Sequence, residues 1–150
     1  MIRYLRTDSE NKDFVELVKL LDADLKVRDG DDHAFYAQFN KTASIRNTIV
    51  AYDDEMPVAC GAIKAFDQDS VEVKRMYVVE SRRRMGLAKG VLTELEKWAF
   101  ELGYKSLVLE TGKNQPEAIR LYSNTGYHIT ENYGQYIGVD NSVCFMKVIK

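Results

Sequence analysis

At 150 residues, 45% hydrophobic and 29% charged, the chain is long enough to bury one core, and a single domain spanning 1–150 is expected. Its 21 basic and 23 acidic residues give a formal net charge of -2, which argues against a dedicated nucleic-acid binder. No apolar run reaches the roughly 18 residues that span a bilayer, and residues 1–6 lack the apolar core of a signal peptide, so a cytoplasmic protein without a membrane partner is expected.

The spacing predicts a short strand over 2–5. Thr7-Asp8-Ser9-Glu10 has the form of a capping box, and Phe14, Leu17, Val18 and Leu21 then recur at helical intervals. That helix is expected to end near residue 26, before Asp29-Gly30-Asp31-Asp32, with a shorter helix over 33–40 carrying Phe35, Tyr36 and Phe39. Strands follow over 48–52, 58–66 and 71–79, joined by the turns 53–57 and 67–70 and therefore antiparallel.

Leu87, Val91, Leu95, Ala99 and Leu102 then form an apolar helical stripe, with Gly103 as its C′ residue. Residues 106–110 read as a buried strand. Pro116 suits the first turn of a helix carrying Ala118, Ile119 and Tyr122 on one face and ended by Gly126. Two strands over 127–133 and 142–149 close the chain. The strand–helix–strand unit over 71–109 is a parallel crossover. The expected architecture is an α/β (α+β) fold: a mixed, mostly antiparallel sheet of about seven strands flanked by helices.

The segment Arg83-Arg84-Met85-Gly86-Leu87-Ala88 joins the strand at 71–79 to the next helix. The first N–H groups of a helix lack intrahelical partners and sit at the positive end of its dipole, so they attract anions. Gly86 and Ala88 keep the turn narrow, while Arg82, Arg83, Arg84 and Lys89 add charge. A bound phosphate or pyrophosphate is one reading of this loop, and a solvated basic turn is the other. A P-loop is excluded by its glycine spacing, and a dinucleotide fingerprint fits poorly because only Gly86 and Ala88 stand where three glycines are needed.

Cys60 and Cys144 lie in apolar, strand-like segments and read as buried thiols. With His33 and His128 they lack the close spacing of zinc ligands, so no metal is expected. Tyr127, Tyr133, Tyr136 and Phe145 suit the lining of a pocket, core packing or a homodimer interface. Asp22, Asp24, Asp29, Asp31 and Asp32 form an acidic rim that is either a solvated surface or an attractor for a cationic amine.

Three motifs together resemble the GNAT N-acetyltransferases. The loop matches Arg/Gln-x-x-Gly-x-Gly/Ala through Arg83, Gly86 and Ala88. Gln115-Pro116-Glu117-Ala118-Ile119-Arg120-Leu121-Tyr122 followed by Gly126-Tyr127 looks like that family's second conserved segment, and Glu72-Val73-Lys74-Arg75-Met76-Tyr77-Val78 resembles its fourth strand. The resemblance covers the chain from about residue 58 to the end, and its first third matches in element order only.

The resemblance implies the acyl-CoA N-acyltransferase fold and direct acetyl transfer from acetyl-CoA to an amine, either a small molecule or a protein amine, in a ternary complex. It assigns Met76, Tyr77 and Val78 to the pantetheine arm. Arg83, Arg84, Met85, Gly86, Leu87, Ala88 and Lys89 are assigned to the pyrophosphate. Tyr122 stands where the family often has a tyrosine that contacts the cofactor and protonates the departing thiolate. Glu72 stands where some members carry a base, with Glu110 as its rival. An asparagine that often contacts the cofactor is replaced here by Gln115, with Asn114 beside it. Neither a metal nor a covalent enzyme intermediate is required. A CoA-binding sensor without catalysis and a nucleotide binder using the same loop are the competing readings.

Overall fold

The computed structural model describes residues 1–30 and 45–150; the helix expected over 33–40 lies outside them. Seven strands form one sheet in the order β1-β2-β3-β4-β5-β7-β6. They are β1 (Ile2–Thr7), β2 (Asn47–Asp53), β3 (Met56–Ala65), β4 (Ser70–Val78), β5 (Ser106–Gly112), β6 (His128–Thr130) and β7 (Ser142–Val148). The helices are α1 (Lys12–Asp29), α2 (Leu87–Glu101) and α3 (Pro116–Ser123). This is the mixed, mostly antiparallel sheet expected from the sequence, with β4–β5 as its parallel pair.

The start of α1 differs from the expectation. Thr7 is the last residue of β1, and the cap is Asn11, whose Oδ1 accepts from the Phe14 N–H at 3.0 Å. Asp8 instead makes a local turn, accepting from the Glu10 N–H at 2.9 Å. The helix starts later and runs past residue 26. The hairpin between β2 and β3 is also tighter than expected, because β3 begins at Met56 and a register shift between Ala51 and Tyr52 accommodates Pro57 inside the strand. At the far end, only His128–Thr130 of the expected strand over 127–133 pairs, and Tyr133 and Tyr136 fall in or beside the 3-10 turn Gly134–Tyr136.

The central strands of the sheet are buried on both faces. Ile49 and Ala51 of β2 meet Leu87, Val91, Leu92, Leu95 and Ala99 of α2 in one core. Val50 and Tyr52, pointing the other way, meet Phe14, Leu17 and Val18 of α1 in a second. Each fully buried aliphatic side chain stabilises the fold by roughly 1.5–3 kcal/mol.

Two irregularities in β4 create a cleft. Its parallel pairing with β5 covers only Ser70↔Ser106, Val71↔Leu107 and Glu72↔Val108; beyond that register the strands are no longer paired. On its other side, β4 carries an extra residue: the register passes from Ala62↔Lys74 to Cys60↔Tyr77, so Arg75 and Met76 stand opposite Gly61. Arg75 absorbs the bulge with φ 59, an uncommon value for a residue with a Cβ. Gly61 makes room for it, because a Cβ there would lie 2.4 Å from Met76 Sδ and 2.8 Å from Val91 Cγ1.

Candidate active site

The cleft opens into a cavity of about 730 Å³. One wall is β4 from Glu72 to Val78, and the facing wall is Glu110, Thr111 and Gly112 of β5. Leu21, Asp24, Leu25 and Arg28 of α1 close one side, and Gln115, Ala118, Leu121 and Tyr122 close another. At one end lies the amino terminus of α2.

That terminus has the features that attract an anion. Gly86 is the N-cap residue at φ 78 and offers no side-chain cap, and the first turn carries no acidic residue. The Gly90 N–H bonds to the Gly86 carbonyl at 3.0 Å, which leaves the N–H groups of Leu87, Ala88 and Lys89 without intrahelical partners. Gly86, Leu87, Ala88 and Lys89 all line the cavity. Arg84 precedes them at φ 67, and neither it nor Lys89 has an ion-pair partner among the described residues. A phosphate fits this donor set: uncapped N–H groups, a positive helix end and two uncommitted cations.

The other arginines of the loop are already engaged. Arg83 folds back on β4, donating from Nε to the Val78 carbonyl at 2.9 Å, with its guanidinium 5.5 Å from the Tyr77 ring centroid. Arg82 pairs with Asp53 at the β2–β3 hairpin. Of the residues assigned to the cofactor from sequence, the cavity gathers Met76, Tyr77, Val78, Arg83, Arg84, Gly86, Leu87, Ala88, Lys89, Gln115 and Tyr122. Met85 is 59% exposed and is not among the lining residues. Asn114 is likewise exposed outside the lining, which leaves Gln115, the N-cap residue of α3, as the amide on the wall.

At the opposite end the cavity is rich in ionisable groups. Glu72 is buried, and its Oε2 accepts from the Tyr133 hydroxyl at 2.6 Å while its Oε1 lies 3.6 Å from Lys74 Nζ. Burial, and then the Glu72 charge, push the Tyr133 phenol well above its ordinary value, so it remains the donor. Phe66 and Tyr136 hold the Tyr133 ring by edge contacts at 4.9 and 5.8 Å. Glu110 accepts from the Ser142 hydroxyl at 2.8 Å.

Tyr122 is buried on α3, packed edge-on against Tyr127 at 5.7 Å and tilted against Phe145 at 5.8 Å. Burial, with a smaller contribution from Glu110, raises its pKa, so its phenol stays protonated through the neutral range. Tyr127 and Phe145 themselves belong to the core, while Tyr136 lines the cavity. The acidic rim is partly spent: Asp22 pairs with Arg75, and Asp24 with Arg28 and Arg83. Asp31 and Asp32 lie outside the described residues.

One contributor, Arg28, and one pairing had no signal in the sequence. Arg28 reaches across the cavity mouth to Glu117 at 3.1 Å, joining α1 to α3 over 89 residues. Tyr133 and Glu72 are 61 positions apart, and only the strand order brings them together.

The model of the acetyltransferase (GNAT) family matches residues 14–127. An uncharacterized N-acetyltransferase of Bacillus subtilis, YsnE, is 34% identical over 99 residues, 65% of this chain and 66% of that protein. The chain spans two-thirds or less of the length of the curated relatives it matches. A provisionally named acyl-CoA N-acyltransferase from Klebsiella pneumoniae shares the fold at a TM-score of 0.84 and 24% identity, over 100% of this chain and 99% of that one. A GNAT family acetyltransferase from Elizabethkingia anophelis with acetyl-CoA bound shares it at 0.72 and 16%, over 99% and 98%. With the family model matching most of its length, the chain belongs to the acetyltransferase (GNAT) family.

Proposed function

We propose that residues 1–150 act as one domain that transfers the acetyl group of acetyl-CoA directly to an amine within a ternary complex. The observation that carries this reading is the split between β4 and β5, which runs from a buried carboxylate at one end to an uncapped helix terminus at the other. The pyrophosphate is assigned to the N–H groups of Leu87, Ala88 and Lys89 with Arg84, and the pantetheine arm to the edge of β4 at Met76, Tyr77 and Val78.

Acetyl transfer needs a neutral amine, a polarised thioester carbonyl and a proton for the leaving sulfur. The new bond joins the amine nitrogen to the acetyl carbon, and the carbon–sulfur bond breaks. Tyr122, neutral and on the cavity wall, is suited to give its proton to the sulfur. Glu72, fixed by Tyr133 and Lys74, is suited to receive the amine's proton through water. The N–H groups of the unpaired β4 edge are suited to the charge developing on the carbonyl oxygen. Acetyl-CoA supplies the activated acyl group; the chain supplies orientation and proton transfer.

The test is free-thiol release from acetyl-CoA by the purified protein against a panel of amines. Amine-dependent release is expected. Saturable acetyl-CoA binding with no release from any amine would replace this reading with a CoA-binding sensor.

A further inference from the structure

A polar cluster outside the cavity lining ties together the two helices that acetyl transfer would use. Glu96, on α2, accepts from the Tyr127 hydroxyl at 2.9 Å through Oε2 and from Lys147 Nζ at 3.0 Å through Oε1. Lys147, on β7, also donates to the Thr125 carbonyl at 2.9 Å, in the turn that follows α3. Its stem passes over that turn at Gly126, where a Cβ would lie 3.3 Å from Lys147 Cε. The charged pair is largely buried, with Glu96 16% and Lys147 26% exposed. Such a pair contributes little net stability, because desolvation offsets its attraction, but its hydrogen bonds are directional. None of Glu96, Tyr127 and Lys147 lines the cavity, so the cluster acts on the site only through what it holds.

What it holds is Tyr122. Thr125, whose carbonyl is fixed by Lys147, donates from Oγ1 to the carbonyls of Leu121 at 2.8 Å and Tyr122 at 3.2 Å. The Tyr127 N–H donates to the Tyr122 carbonyl at 3.1 Å, and the Tyr127 ring meets the Tyr122 ring edge-on. The Tyr122 hydroxyl itself makes no hydrogen bond with a described residue, so its place is set by these ring contacts and by the end of α3. A general acid has to stand within hydrogen-bond reach of the atom it protonates, and a displacement of about 1 Å can cost a factor of about 10² in rate. The cofactor's pyrophosphate is assigned to the first turn of α2, and Glu96 lies about two and a half turns further along the same helix. We infer that Tyr127, through its hydrogen bond to Glu96, is a positioning residue that registers the Tyr122 hydroxyl against a cofactor anchored on α2. This rests on the reading of Tyr122 as the acid in acetyl transfer.

The experiment uses Tyr127→Phe, which removes one hydroxyl and leaves Glu96 paired with Lys147. kcat is expected to fall about tenfold, part of the roughly 10²–10⁴-fold share of a general acid, while acetyl-CoA affinity by isothermal titration stays within about twofold. In a Tyr122→Phe background the same substitution should leave kcat unchanged, because no hydroxyl remains to be placed. Glu96→Ala should reproduce the fall, and Glu96→Gln, which keeps an acceptor oxygen for Tyr127, should lie between it and the unaltered protein. If Tyr127→Phe does not fold, the two Glu96 variants carry the comparison in both backgrounds. Unchanged kcat, or an equal fall with and without the Tyr122 hydroxyl, overturns the inference and leaves Tyr122 as the acid. A loss of acetyl-CoA affinity as large as the loss in kcat also overturns it, since general loosening of the fold would do the same. Full turnover by Tyr122→Phe alone removes the acid, and this inference with it.

Discussion

Replacing Gly61 by alanine tests the link between the β4 bulge and the cleft. The added Cβ would lie 2.4 Å from Met76 Sδ, 2.8 Å from Val91 Cγ1 and 3.1 Å from Leu95 Cδ1. The Met76 thioether is flexible and can swing aside. Val91 cannot, because it is fully buried on α2 and stiff at χ1. Overpacking of this kind costs about 1–3 kcal/mol, and removing a glycine from the unfolded chain returns about 0.5–1 kcal/mol. The net loss is then at most about 2.5 kcal/mol, a fall in Tm of up to roughly 10 °C for a chain of this size. Because Met76 lies on the cavity wall, its displacement should also weaken acetyl-CoA binding. Differential scanning calorimetry and isothermal titration read the two effects. A variant with unchanged Tm and unchanged affinity would refute the claim that Gly61 sets the bulge and that the bulge shapes the site.

Tyr122→Phe keeps the ring packed against Tyr127 and Phe145 and removes only the hydroxyl. It is expected to lower kcat by about 10²–10⁴-fold, the usual share of a general acid, with little change in acetyl-CoA affinity; full turnover would remove Tyr122 from the acid role. Stability should fall on the alkaline side. Burial raises the Cys60 thiol from 9.0 to about 12, and burial with the hydrogen bond to Asp13 raises the Tyr52 phenol from 10.0 to about 12. Both groups ionise first in the unfolded chain, so their stabilisation is whole below those ordinary values and is lost as pH rises towards about 12. Thermal melts across that range should show a falling Tm, with the early part of the fall smaller in Cys60→Ala, where the Cys144 thiol, also raised by burial from 9.0, remains; a flat profile would contradict this.

The element order was legible because burial on two faces writes itself into the sequence. The stripe Leu87, Val91, Leu95 and Ala99 marks α2, and the apolar run Ile49 to Tyr52 marks a strand covered on both sides. The uncapped amino terminus of α2 was legible because it is local: Gly86 and the first turn of α2 are contiguous. The boundaries were less so. Thr7 has the side chain of a cap, but pairing with Thr48 draws it into β1 and leaves the role to Asn11. The tyrosines of 127–133 have strand propensity, yet β7 pairs with only three residues there. Least legible was the end of the cleft around Glu72. Tyr133 on Glu72, Arg28 on Glu117 and Asp22 on Arg75 are pairings over 53 residues or more, set by the sheet order and by the extra residue in β4. No local pattern in a single sequence announces such contacts.

The central claim is that the cleft binds acetyl-CoA through the amino terminus of α2, and isothermal titration of the protein and of Gly86→Glu tests it most directly. Gly86 has φ 78 with open space where a Cβ would stand, so the variant should fold at a strain of about 1 kcal/mol while placing a carboxylate at the proposed pyrophosphate site. Saturable binding by the unaltered protein, weakened at least about tenfold in a variant that still melts cooperatively, is the predicted result. No binding by the folded protein, or equal binding by both, would contradict the account.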